Sequence, residues 1–124
     1  MDENKRPFSI VVVACVYLAV GVVGFAYHFP ELWARHPDAV GIEVTELAAL
    51  VCGVFLLRRQ NWARWLALAW MAFHVALSAF HPLGELAVHV AFLVMFGWVL
   101  LGREANRWFS RAGASWLDRP VMPK

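Results

Sequence analysis

A chain of 124 residues that is 61% hydrophobic and only 16% charged, with seven tryptophans, lies far from soluble domains, whose charged share is about 25%. Its apolar runs consume most of one domain's worth of residues and leave no room among them for a soluble catalytic domain. The formal net charge is +2, but the basic residues are spaced as topology signals without a recognisable binding module, which argues against a nucleic-acid partner.

The pattern predicts an all-α integral membrane protein: four transmembrane helices in an antiparallel bundle, with both termini on the inner side and a short C-terminal amphipathic helix at the interface. The first apolar run, 8–29, carries no charge and is long enough to cross a hydrocarbon core about 30 Å thick. It follows Lys5 and Arg6, yet it exceeds the roughly 7 to 15 apolar residues of a cleavable signal, and no small-x-small site clearly follows; it reads as a retained helix. The next runs, about 40–57, 62–80 and 83–101, are each near the lower limit of spanning length. Pro30, Pro37 and Pro82 punctuate the connections, where a helix is expected to end.

Segment 103–117 changes character. Arg103, Arg107 and Arg111 form a basic stripe at four-residue spacing, and Trp108, Phe109, Ala112 and Trp116 supply apolar anchors, the pattern of a helix lying on an anionic membrane surface. A plain topology anchor is the simpler reading. Trp62, Trp65 and Trp98 suit the inner aromatic belt and Trp33 the outer one, and 118–124 read as a frayed end. Of the eleven basic residues, Lys5, Arg6, Arg58, Arg59, Arg64, Arg103, Arg107, Arg111, Arg119 and Lys124 fall on one side and Arg35 alone on the other. The positive-inside rule makes the crowded side cytoplasmic and suits the plasma membrane, a bacterial inner membrane above all.

Against that topology, three ionisable side chains stand at similar depth: Glu46 in the second run, His74 in the third and His89 in the fourth, each roughly 7 to 9 Å from the outer end of its helix. A charged group at a helix centre costs about 2.5 to 3.5 kcal/mol to insert, so such residues face a bundle interior or wet cavity and mark function. Helical spacing gives them company. Glu43 shares a face with Glu46, Trp70 and His81 with His74, and Glu85 and Phe92 with His89, while Tyr17, Gly21, Gly24 and His28 make one face of the first helix. A polar pocket follows, formed by Glu46, His74 and His89 with help from Glu43, His81 and Glu85, and lined by Tyr17, His28, Trp70, Ser78 and Phe92.

Each residue also has a plainer reading. Glu43 and Glu85 in a first helical turn gain about 0.3 to 1 kcal/mol from the helix dipole. His28 and His81 suit the headgroup level, and a neutral His74 or His89 bonded to Ser78 or a carbonyl is a satisfied core group. For the pocket, imidazole and carboxylate suit a transition metal, and two histidines suit haem; a proton relay or a cationic ligand is equally compatible. The ferritin-like Glu-x-x-His step is absent, because the spacings here are Glu-x-x-Glu at Glu43 and Glu46 and Glu-x-x-x-His at Glu85 and His89. Cys15 and Cys52 read as apolar packing residues without a C-x-x-C motif, and no phosphate loop or serine nucleophile motif appears, so an enzyme is not expected.

The four-span plan is similar to that of the DoxX-like and sterol-isomerase-like groups, although no family motif matches residue by residue and no residue role follows from it. The expectation is therefore a small membrane protein binding a small ligand, metal ion or haem. A structural or accessory subunit, and a proton-coupled transporter working as a homo-oligomer, are the alternatives. Beyond the bilayer, a second copy or a membrane partner protein would be its partner.

Overall fold

The computed structural model describes residues 5–117, with side chains to Arg111, so Arg119, Lys124 and the side chains of Ala112 and Trp116 lie outside what is described. Five helices follow one another among the described residues: α1 Phe8–Trp33, α2 Ala39–Leu57, α3 Asn61–Ser78, α4 Leu83–Leu101 and α5 Arg103–Leu117. Among the described residues there is no strand. Helices α1, α2 and α4 are long and apolar enough to cross a membrane. Their outward faces are apolar as well, with Val23 67%, Val94 66% and Trp98 81% exposed, and an uncovered apolar surface of this extent marks a membrane protein. Helix α3 carries Asn61, Arg64 and His74 and is less apolar.

Two helix ends differ from the sequence expectation. α1 continues through Pro30 to Trp33, where an end at 29 was expected. Pro30 removes one amide donor and its ring crowds the Ala26 carbonyl, yet hydrogen bonding resumes beyond it, with the carbonyl of Pro30 accepting from Ala34 at 3.0 Å. The actual stop is a Schellman turn: Arg35 adopts a φ of 58°, its amide donates to Leu32 and the His36 amide to Glu31. α2 stops in the same way, with Arg59 at a φ of 64° and the Arg59 and Gln60 amides donating to Leu56 and Phe55. Glycine is the usual occupant of that conformation. At Arg59 the side chain gives a reason for the exception, since its Nε donates to the carbonyl of Trp108 in α5. Helix α3 ends at Ser78, two residues early, where the chain tightens into a last turn with the Phe80 and His81 amides donating to Leu77 and Ser78 three residues back.

The closest helix pair is α1 with α2. A methyl at Gly21 would stand 2.6 Å from Leu50 Cγ and 2.9 Å from the Leu50 backbone nitrogen; one at Gly53 would stand 2.6 Å from Leu18 Cγ, and one at Gly24 would strike the Glu46 carboxylate. Small residues set this approach, as in membrane helix pairs generally. Helix α3 packs on α2 and on α4, whereas α1 and α4 touch only sparsely. The apolar core occupies the half of the bundle nearest α5, where Ile10, Tyr17, Cys52, Leu56, Ala67, Phe96 and Leu100 are buried together. Cys52 belongs to this core, but Cys15 is exposed on the opposite face of α1, so the two thiols do not share an environment.

Helix α5 closes that end. Trp108 was expected at the membrane surface; it is instead buried, packed edge-on against Phe109 with centroids 4.9 Å apart. Ala105 and Phe109 are buried with it, so this apolar face covers the bundle's core and does not lie in lipid. Arg59 lies over the Trp108 ring and Arg64 over the Phe109 ring, while Arg64 also donates to Asn106 Oδ1 at 2.5 Å. Burial, and then the charge of Arg111, lower the pKa of Arg59, which starts so high that it stays charged. Arg103, Arg107 and Arg111 form an exposed stripe on the far side of the helix, and Trp62 and Trp65 are exposed near the same end of the bundle.

Gly21→Ala is expected to lower stability by about 1 to 3 kcal/mol because backbone must move to admit the methyl. Gly97→Ala, where nothing lies within 4 Å, is expected to be neutral or to stabilise by up to about 1 kcal/mol through helix propensity. Thermal unfolding of both variants in detergent measures the difference.

Candidate functional site

The sparse contact between α1 and α4 leaves a cavity of about 280 Å³ above the packed core. Its wall is Val16, Tyr17 and Val20 of α1, Glu46 of α2, Trp70, Met71 and His74 of α3, and His89, Phe92 and Phe96 of α4. Val20 and Phe92 remain 40% and 38% exposed, so the cavity opens sideways between α1 and α4. A second recess of about 500 Å³ lies towards the α1–α2 connection and is lined by His28, Pro37, Asp38, Gly41, Ile42, Thr45, Glu46, Phe73, His74 and Leu77. Glu46 and His74 belong to both walls and so stand where the two spaces adjoin.

Aromatic rings build the floor and one side. Tyr17 meets Trp70 edge-on at 5.3 Å and Phe96 at 5.5 Å, and Phe92 lies 5.6 Å from Phe96. The His74 ring lies 3.9 Å from Trp70 and 6.2 Å from His89, nearly parallel to the latter at 21°. These rings are held by hydrogen bonds that use every neutral donor of the wall. The Tyr17 hydroxyl donates to the Ala67 carbonyl at 2.6 Å, tying α1 to α3, and Trp70 Nε1 donates to the Thr45 carbonyl at 2.8 Å, tying α3 to α2.

Both histidines are oriented from behind. His74 Nδ1 lies 2.9 Å from the Trp70 carbonyl and His89 Nδ1 lies 2.8 Å from the Glu85 carbonyl, and a carbonyl only accepts, so each Nδ1 carries the proton. Ser78 Oγ completes the arrangement: its hydrogen goes to the His74 carbonyl at 2.7 Å, leaving its oxygen 2.9 Å from the same His89 Nδ1. In the neutral imidazoles Nε2 is then a lone pair. Glu46 Oε2 is buried without a hydrogen-bond partner among the described residues. That oxygen lies against Gly24, and the wall residues Glu46, His74 and His89 bring acceptors to the lower cavity: a carboxylate and two imidazoles whose Nδ1 protons are already engaged.

The remaining expected residues are placed differently. Glu43 was expected in the first turn of α2, but the helix starts at Ala39 and puts it in the second; it is only 4% exposed, with neither oxygen hydrogen-bonded among the described residues, and it lines neither space. It shares the Glu46, Leu50 and Gly53 face, towards α1. Glu85 does lie in the first turn of α4, exposed, with its carboxylate 3.6 Å from His81 Nδ1 and away from both spaces. His28 lines the larger recess and stands 3.3 Å from Glu31. Ser78 lines neither space and acts through His89.

Metal ligation finds no support: among the described residues no three histidine, cysteine, aspartate or glutamate side chains converge to hold an ion. Haem would bring two propionates, and no lysine or arginine lines either space to receive them. Sequence reasoning missed Asp38 and the larger recess, as well as the Thr45 and Ala67 carbonyls, since a backbone acceptor leaves no residue-type signal.

Set beside known proteins, the chain matches no family model, no curated protein and no solved structure.

The hydrogen-bond directions predict that both His74 and His89 are Nδ1–H tautomers when neutral. Histidine 15N chemical shifts in the folded protein measure this, and an Nε2–H tautomer at either residue would contradict it.

Proposed function

We propose that this chain is a small-ligand-binding membrane protein whose four helices α1 to α4 all cross the bilayer, with the lower cavity in the outer half. The observation that carries the reading is the composition of the cavity wall: largely apolar and aromatic, with one polar group each from α2, α3 and α4. Ligand sites have this character, an apolar cavity of about 300 Å³ or more with a few fixed polar groups. Histidines braced through Nδ1 are pre-organised, so little ordering is lost on binding.

Helix α3 serves as the fourth span because Arg64 and His74 pack against protein, Arg64 on α5 and His74 beside Trp70 and His89, while the exposed Asn61 stands at the helix end. It packs between α2 and α4, and its Ala67 carbonyl and Trp70 indole are bonded across the bundle. The concentration of lysine and arginine at one end orients both termini to the cytoplasm, which fits a bacterial inner membrane. The exposed Arg103, Arg107 and Arg111 stripe of α5 then meets anionic headgroups, each worth about 1 kcal/mol near the surface. Trp62 and Trp65 take headgroup-level positions beside it.

A neutral probe, 4-phenylbutan-1-ol, tests the reading in phosphatidylcholine nanodiscs. Saturable movement of the His74 and His89 15N signals is expected in the natural protein, and Phe92→Trp, which fills the cavity mouth, should weaken it at least about tenfold. An unsaturable response, or one unchanged in the variant, would place the probe in lipid and overturn the reading.

A further inference from the structure

Resting on that reading, we propose that the occupant is an amphiphilic organic amine, bound as its cation with the ammonium between Glu46, His74 and His89 and the apolar body among Trp70, Phe92 and Phe96. The hydrogen-bond inventory leads there first. The wall has no neutral donor to spare, so a ligand whose polar end only accepts, such as a ketone or ester, would leave buried groups on both sides unpaired. An ammonium brings donors and no acceptor, the complement of a carboxylate and two imidazole lone pairs.

Charge agrees with the inventory. No lysine or arginine lines either space, whereas Glu46 lines both and Asp38 lines the larger recess. An anion would therefore meet a carboxylate without a counter-charge, and the phosphate of a lipid headgroup would fare no better. A buried ammonium is tolerable only when paired and hydrogen-bonded, and the Glu46 carboxylate on the cavity wall is the one anionic group there that offers such pairing.

Position explains why the ligand has two ends of different kind. Glu46 and His74 stand where the two spaces adjoin, so a polar head held there leaves the lower cavity to an apolar body. The opening between α1 and α4 admits that body from the hydrocarbon side. A small amine dissolved in the membrane has access without passing through the packed core.

The test compares 4-phenylbutylamine with 4-phenylbutan-1-ol, which share a body and differ in the head, by titration of the histidine 15N signals in phosphatidylcholine nanodiscs. The natural protein is expected to bind the amine at least about tenfold more tightly than the alcohol. Glu46→Gln should reduce that preference to within about threefold while circular dichroism stays helical, and Glu85→Gln, outside both spaces, should leave it unchanged. Equal binding of amine and alcohol in the natural protein would overturn the cation assignment and leave the cavity reading standing; binding of neither would overturn both. A preference that survives Glu46→Gln would remove the carboxylate as counter-charge and overturn the proposal. Loss of amine binding when phosphatidylethanolamine replaces phosphatidylcholine would assign the site to that headgroup amine and overturn the free-amine occupant.

Discussion

The close seam between α1 and α2 is the constraint on which the remaining arrangement depends. With no side chain at Gly21, Gly24 and Gly53, the two helices approach until Leu50, Glu46 and Leu18 occupy the places where methyl groups would be. Drawing α1 towards α2 has a consequence on the far side, because α1 and α4 then meet only sparsely. The gap between them is the cavity. Glu46 lies against Gly24 and also on the cavity wall, so the seam that spaces the helices also places the carboxylate.

The bundle is accordingly divided along its length. The half beside α5 is packed, with Arg59 and Arg64 of the α2–α3 end fastening α5 over it through the Trp108 carbonyl and Asn106. The other half is open and carries the histidines together with Glu43, Glu46 and Glu85. Tyr17 stands at the boundary: its ring packs with Trp70 and Phe96, and its hydroxyl is satisfied by the Ala67 carbonyl, so it closes the cavity floor without offering a donor to a ligand. Rigid packing below and pre-oriented acceptors above are what a selective site requires, since a wall that needed reordering on binding would lose affinity to entropy.

Much of this was legible in the sequence because membrane helices leave strong signals. The length and apolarity of the runs gave α2 and α4 to within a residue at either end. The shared depth of Glu46, His74 and His89 pointed to residues that line one cavity; the Tyr17, Gly21, Gly24 spacing marked one face of α1, of which Gly21 and Gly24 meet α2 while Tyr17 turns to α3 and α4. Failures have physical causes. Pro30 was expected to mark a connection where α1 has ended, but a proline interrupts only one bond of the ladder and the helix runs on to Trp33. Trp108 was assigned to lipid because amphipathic periodicity reports an apolar face but not what covers it, and here the bundle covers it. Glu85 and His81 share helical spacing with true wall residues yet sit above the cavity, since spacing fixes a face and not a depth of burial. The count of available donors, on which ligand chemistry turns, rests on backbone carbonyls and was invisible in one dimension.

The most direct measurement is an anomalous-difference map from crystals grown with 4-(4-bromophenyl)butylamine, in which bromine marks the apolar end of the ligand. The predicted result is a single strong peak in the lower cavity near Trp70, Phe92 and Phe96, with continuous density from it to Glu46 and His74. A peak on the outward faces of α1 or α4, or in the larger recess with the lower cavity empty, would contradict the assignment of that cavity as the site of an amphiphilic amine.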